Sequence, residues 1–127
     1  MIRVLLIDDQ AIVRRSLRLR LALELDIQVI GEASAGGEAL DLAQTLLPDV
    51  ALVDIEMPDM DGIATTAALH GLAPQCAVVI LSIHGSAENR ARAQAAGAVA
   101  FVEKDGGADA LLAAIRQAAK QSGESSE

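Results

Sequence analysis

Residues 50–62 read V-A-L-V-D-I-E-M-P-D-M-D-G. Residues 50–53 are aliphatic, and the run stops on a carboxylate, Asp54. A continuous apolar run of that length suits a strand buried on both faces, as in a parallel sheet. Turn formers and negative charge follow at once, with Glu56, Pro58, Asp59, Asp61 and Gly62. A carboxylate at the lip of a core is costly unless something compensates it. What compensates Asp54 is the question from which the rest of the chain is read.

On either side the same alternation recurs. Short aliphatic runs at 2–7, 27–33, 76–82 and 98–102 read as four further strands. Between them lie helical patterns at 11–25, 38–47, 63–69, 86–96 and 108–120. The first of these carries a conflict of period. Leu17, Leu19, Leu21, Leu23 and Leu25 alternate as in a strand, yet Val13, Leu17, Leu21 and Leu25 form an i+4 row. Length and the string of Leu, Arg, Ala and Glu decide for helix. Arg20 falls within its apolar sector, where its stem is expected to snorkel. Leu40, Ala43, Leu46 and Leu47 share one side of the second helix, which Pro48 stops. Ser86 reads as an N-cap and Gly97 as a C-cap of the fourth. Strands alternating with helices imply one doubly wound α/β domain, a five-stranded parallel sheet with helices on both faces. It is expected over residues 1–120. The polar 121–127 (Q-S-G-E-S-S-E) reads as a tail, or as the start of a linker to an output domain absent from this chain.

Composition narrows the function. The chain has 127 residues, of which 52% are hydrophobic, so it folds around a real core. Phe101 is its one Phe, and Tyr and Trp are absent, which argues against aromatic platforms for nucleic acid. A net charge of -8 argues against phosphate-backbone binding by this domain itself. Cys76 stands alone at the edge of an apolar run and reads as a buried, inert thiol. No run reaches the length of a membrane span, and the N-terminus is too acidic for a signal peptide, so a cytoplasmic protein is expected.

In open α/β sheets ligands bind beyond the carboxyl ends of the strands. Those ends carry Asp8 and Asp9, Asp54, Ser82, and just past the fifth strand Lys104. Three crowded carboxylates call for a divalent cation, and Mg2+ suits a few carboxylate and carbonyl oxygens. Lys104 adds a positive charge and Ser82 a hydroxyl. A carboxylate near Mg2+ and Lys can attack a phosphoryl group. Each residue also has a plainer reading. Asp54 caps its loop, Asp8 and Asp9 cap the first helix, and Lys104 is a solvated lysine. His70 and His84 show no metal-ligand spacing, although His84 lies close to Ser82.

With these residues in view, the chain resembles a response-regulator receiver domain of two-component signalling. The resemblance rests on I-D-D (7–9), D-I-E-M-P-D-M-D-G (54–62), L-S (81–82) and A-F-V-E-K-D (100–105), and covers about residues 2–120. The wording around 2–10 and 29–33 is similar to the NarL/FixJ subfamily, joined to a LuxR-type helix-turn-helix output domain. The resemblance implies a flavodoxin-like strand order 2-1-3-4-5. It implies that Asp54 accepts a phosphoryl group from a sensor histidine kinase, assisted by the domain itself rather than by a separate enzyme activity. It implies Mg2+ held by Asp9, Asp54 and the backbone carbonyl of Glu56, with Asp8 holding its water. Lys104 would contact a phosphoryl oxygen, Ser82 would move to another, and Phe101 would turn inward, reshaping the face of the fourth helix, fifth strand and fifth helix. A homodimer on phosphorylation is a further expectation. DNA would be reached only through the output domain.

The family's frequent Lys-Pro is here Lys104-Asp105, and its frequent Tyr is Phe101. Glu56 and His84 occupy positions that influence dephosphorylation. Asp54 is expected to stay exposed, because it must react. Arg14, Arg15 and Arg18 form either a solvated face or a docking surface for an acidic partner. Competing classes are a Mg2+-dependent aspartyl phosphohydrolase, a nucleotide or flavin binder, and a receiver that acts unphosphorylated as an interaction module. The nucleotide reading needs a Gly-rich first loop, and Asp8-Asp9-Gln10 is the opposite.

Overall fold

The computed structural model describes residues 1–55, 61–83 and 85–125, the last three by backbone alone. The elements are β1 (Ile2–Ile7), α1 (Ala11–Leu21), β2 (Ile27–Ala33), α2 (Gly36–Leu46), β3 (Val50–Asp54), α3 (Gly62–Leu72), β4 (Ala77–Ser82), α4 (Ala87–Ala95), β5 (Ala100–Glu103) and α5 (Ala108–Ser125). The strands form one sheet in the order β2-β1-β3-β4-β5, with every neighbouring pair parallel. The expected architecture and strand order both hold.

Alternation along the buried strands builds two cores. Leu5, Ile7, Ala51, Val53, Val78 and Ile80 face α2, α3 and α4, where Ala43, Leu69 and Ala93 close the layer. Val4, Leu6, Val50, Leu52, Val79 and Leu81 face α1 and α5, and meet Leu21, Leu111, Leu112 and Ile115. Full burial of each Val, Leu or Ile side chain is worth about 1.5–3 kcal/mol, so the continuous aliphatic runs specify a sheet covered on both faces.

Helix ends follow local chemistry in some places and distant contacts in others. Ser86 caps α4 by accepting from the Asn89 amide at 3.1 Å, as its sequence position suggested. Gly97, at φ +108°, follows that helix, and a Cβ there would lie 2.6 Å from the His70 ring. Asp61, in the acidic stretch, is the N-cap of α3 and accepts from the Ala64 amide at 2.7 Å.

Three expectations are corrected. α1 ends at Leu21 rather than residue 25, and Leu25 is 93% exposed. The segment beyond it is held by ion pairs: Arg116 of α5 reaches Glu24 at 2.8 Å and Asp26 at 2.9 Å. Arg20 meets Glu24 at 3.0 Å, which explains a cation in the apolar sector. Leu47 is not on the buried side of α2; it stands past the helix at φ 51° and is exposed. Finally, α5 continues past Lys120 to Ser125, so residues 121–125 are helical. Within that extension the Ser122 hydroxyl donates to the Gln75 carbonyl at 2.5 Å, just before β4 begins.

Cys76 is buried, and burial pushes its thiol up to about 12, with the nearby Asp49 charge adding to the effect. That matches an inert thiol.

Candidate functional site

Because the central strands are adjacent and parallel, their carboxyl ends meet on one rim. The Asp8 amide donates to the Ala33 carbonyl at 3.0 Å, continuing the β1/β2 ladder past Ile7. Lys104 does the same on the other side, donating its amide to the Ser82 carbonyl at 2.8 Å. Asp54 ends β3 opposite Leu81 of β4, and Ser82 ends β4 opposite Glu103. Ser82 is fully buried.

One oxygen from each of Asp8, Asp9 and Asp54 lies within 4.8 Å of the other two. The Lys104 ammonium sits 3.5 Å from Asp8 Oδ2 and 3.4 Å from Asp54 Oδ1. Four of the residues singled out in the sequence are therefore brought together. The plainer reading of Asp8 and Asp9 as helix caps does not hold, since Gln10 occupies the N-cap of α1 and makes no side-chain cap bond. Instead Asp8 Oδ1 accepts from the Gln10 amide at 2.9 Å, within the turn.

Asp54 is not exposed. It is 3% accessible and Asp8 is 2% accessible. A carboxylate on the middle strand is walled by the ends of β1 and β4, and Lys104 supplies the countercharge from beyond β5. Even so, among the described residues three carboxylates face one ammonium. Burial pushes the Asp8 carboxyl above the usual range; the Gln10 amide opposes this, the Asp54 charge adds to it, and Lys104 opposes it again. Among the described residues neither Asp8 Oδ2 nor Asp9 Oδ1, both buried, accepts a hydrogen bond, although the Lys104 ammonium stands 3.5 Å from Asp8 Oδ2. A buried acceptor left without a hydrogen bond costs about 1–3 kcal/mol, and more when charged. Hard oxygen donors in a converging set fit a divalent cation, so these residues suit a metal centre.

Expectations for Glu56 and His84 lie outside the described residues, as does the loop at 57–60. Phe101 is half-buried against the core on the α4 side. Its ring is covered by Arg90, whose guanidinium carbon lies 4.7 Å from the ring centre. Arg90 also approaches Glu103 at 3.6 Å. Of the arginines on α1, Arg14 and Arg18 both pair with Glu32 of β2, at 3.2 and 2.5 Å, while Arg15 is exposed. Between α1 and α5 runs an apolar groove of about 440 Å3, floored by Leu81 and Val102. Asp8, Asp9 and Asp54 do not line it.

Gly62 reads in the sequence only as a turn former. It opens α3 directly against the backbone at the end of β3. A Cβ there would stand 2.3 Å from the Asp54 carbonyl oxygen and 2.4 Å from the Ile55 Cα. Its amide donates to the Ile55 carbonyl at 3.0 Å. The D-G pair at 61–62 signals a turn in the sequence; only the fold reveals the close approach.

Residues 4–116 match the family described as response regulator receiver domain. The chain is 44% identical over 106 residues to protein-glutamate methylesterase/protein-glutamine glutaminase 2 of Methanospirillum hungatei JF-1, covering 82% of this chain and 30% of that protein. It is 35% identical over 116 residues to the nitrate/nitrite response regulator protein NarL of Escherichia coli K12, covering 91% of this chain and 54% of that one. The chain thus spans from under a third to about half the length of these relatives. The signal receiver domain of the putative response regulator NarL from Mycobacterium tuberculosis superposes with a TM-score of 0.86 at 35% identity, covering 94% of this chain and 96% of that domain. Sheet order, the acids and lysine gathered on its rim, and the match over residues 4–116 lead to one conclusion: this chain belongs to the response regulator receiver domain family.

Proposed function

We propose that this domain is a cytoplasmic phosphoryl-accepting switch in which Asp54 takes a phosphoryl group from the phosphohistidine of a sensor histidine kinase. The carrying observation is the convergence of the Asp8, Asp9 and Asp54 oxygens with the Lys104 ammonium at 3.4 and 3.5 Å. A Asp54 carboxylate oxygen attacks phosphorus, an O–P bond forms, and the N–P bond to the imidazole breaks. The imidazole leaves with the electron pair and takes up a proton. Lys104, already beside Asp54, is placed to pair with a phosphoryl oxygen as charge moves onto Asp54. Asp9, Asp54 and the Glu56 backbone carbonyl would hold Mg2+, with Asp8 holding its water. When bound, the ion neutralises charge on the transferring oxygens.

Ser82 and Phe101 are the switch. Ser82, on the strand next to Asp54, turns its hydroxyl to the acylphosphate, and Phe101 moves inward, changing the α4–β5–α5 face. That face would signal to a DNA-binding, transcriptional output domain outside this chain, with dimerisation on phosphorylation. The domain assists its own phosphorylation and dephosphorylation and has no separate substrate. The test is incubation with Mg2+ and acetyl phosphate, or with beryllofluoride. A labile adduct is expected on wild type, absent in Asp54→Asn and absent in chelator. Equal behaviour of wild type and Asp54→Asn would refute the proposal; sustained turnover of many phosphate esters would favour a hydrolase instead.

A further inference from the structure

Arg14 is not among the acids and lysine of the rim, yet it grips the turn that carries two of them. From the first turns of α1 its side chain reaches back across the β1–α1 loop. Its Nη1 donates to the Asp8 backbone carbonyl at 2.6 Å. Its Nε donates to Glu32 Oε1, on β2, at 3.2 Å. The side chain is only 17% exposed.

The acceptor matters. The Asp8 carbonyl belongs to the peptide unit that joins Asp8 to Asp9. That unit is planar, so fixing its oxygen fixes the plane from which both Cα atoms depart. The Asp8 amide is already tied to Ala33, and Asp8 Oδ1 to the Gln10 amide. The Arg14 bond removes the remaining freedom, rotation of the Asp8–Asp9 peptide. Guanidinium geometry suits the task, because a rigid planar fork can serve a carbonyl with one nitrogen and a carboxylate with another; an ammonium cannot fix both directions. Glu32 in turn orients the fork.

We infer that Arg14, oriented by Glu32, is a positioning residue that locks the Asp8–Asp9 peptide and so holds two of the three rim carboxylates converged for a divalent cation. This rests on the reading of the rim as a cation site and deepens it. It also makes a prediction opposite in sign to simple electrostatics. Arg14 is a positive charge near a cation site, so as a charge alone its removal would tighten Mg2+ binding. As a positioning residue, its removal loosens it. Outer partners of metal ligands typically affect affinity about 10- to 100-fold.

Mg2+ dissociation constants measured by titration calorimetry decide between these. Arg14→Gln and Arg14→Lys are both expected to weaken binding about tenfold, the lysine failing although it keeps the charge. Glu32→Gln is expected to weaken it severalfold, and the Arg14→Gln/Glu32→Gln double variant to be no worse than Arg14→Gln. Far-UV circular dichroism and urea midpoints in chelator confirm that each variant is folded. Affinity in Arg14→Gln within twofold of wild type, or tighter, overturns the inference. Should Arg14→Gln fail to fold, an unchanged affinity in Glu32→Gln overturns it equally. If wild type binds no Mg2+, the inference falls together with the cation reading beneath it; if wild type binds and the Arg14 and Glu32 variants bind alike, only the inference falls.

Discussion

Replacing Asp9 by Asn should stabilise the metal-free protein and blunt its response to Mg2+. Asp9 faces two like charges, with the three carboxylate oxygens within 4.8 Å of one another. At that separation and an effective dielectric of about 20, each pair repels by about 3.5 kcal/mol, so the Coulombic strain on Asp9 reaches about 7 kcal/mol. Lys104 relieves Asp8 and Asp54, at 3.5 and 3.4 Å, and among the described residues no ion pair is formed with Asp9. Asp9 is only half-buried, and water and salt screen much of the repulsion. We therefore expect a gain of about 1–2 kcal/mol in chelator, which moves a urea midpoint by about 0.5–1 M. In Mg2+ at ten times its dissociation constant, wild type should gain about 1.4 kcal/mol and Asp9→Asn much less. The assay is urea unfolding followed by far-UV circular dichroism, since the chain has no Trp or Tyr for fluorescence. A variant no more stable than wild type in chelator would show that the rim carries no net repulsion. Equal stabilisation of both proteins by Mg2+ would show that Asp9 is not a ligand.

Three further outcomes follow from other parts of the fold. Gly62→Ala places a methyl group 2.3 Å from the Asp54 carbonyl oxygen, so backbone must move; a loss of about 2–3 kcal/mol in urea unfolding is expected, with a matching loss of the beryllofluoride adduct. Arg90→Ala removes the guanidinium stacked on Phe101, a contact worth about 0.5–1 kcal/mol at an exposed site; ring resonances of this single phenylalanine should shift toward the positions wild type adopts with beryllofluoride, and an unmoved spectrum would argue against Arg90 restraining the switch. The Arg116 hydrogen bonds hold the Glu24 and Asp26 carboxyls below their ordinary values of 4.5 and 3.8. Their contribution to stability is present above those values and is lost as pH falls through the lowered folded values, so the difference between wild type and Arg116→Gln should shrink in acid; a difference constant from neutral to acid pH would contradict the pairing.

The sheet was legible because a strand buried on both faces writes itself as an unbroken aliphatic run. Residues 50–53 and 78–81 do so, and the polar residue that ends each run marks the rim. Asp8, Asp9, Asp54 and Lys104 could be gathered for the same reason: parallel strands put all their carboxyl ends on one side. Asp54 departs from expectation in one respect. Reactivity suggested exposure, whereas its place on the middle strand buries it. The end of α1 could not be read locally, since Leu23 and Leu25 continue a helical row. What stops them is Arg116, 92 residues from Glu24 in sequence. Arg14 and Gly62 were hidden differently. Their neighbours in sequence suggested a basic face and a turn, and their function depends on backbone atoms of Asp8 and Asp54, which no side-chain pattern encodes.

α5 runs back along the sheet from near Lys104 to the level of Gln75, where Ser122 is tied. β1 begins at that same far rim, with Met1 exposed beside it. Both described ends of the chain therefore emerge on the side away from the acids. For anyone handling this protein, that polarity is a handle. A tether, fluorophore or affinity tag can be joined at either end, and the domain anchored to a surface by it, with the acidic rim still presented to whatever approaches from solution.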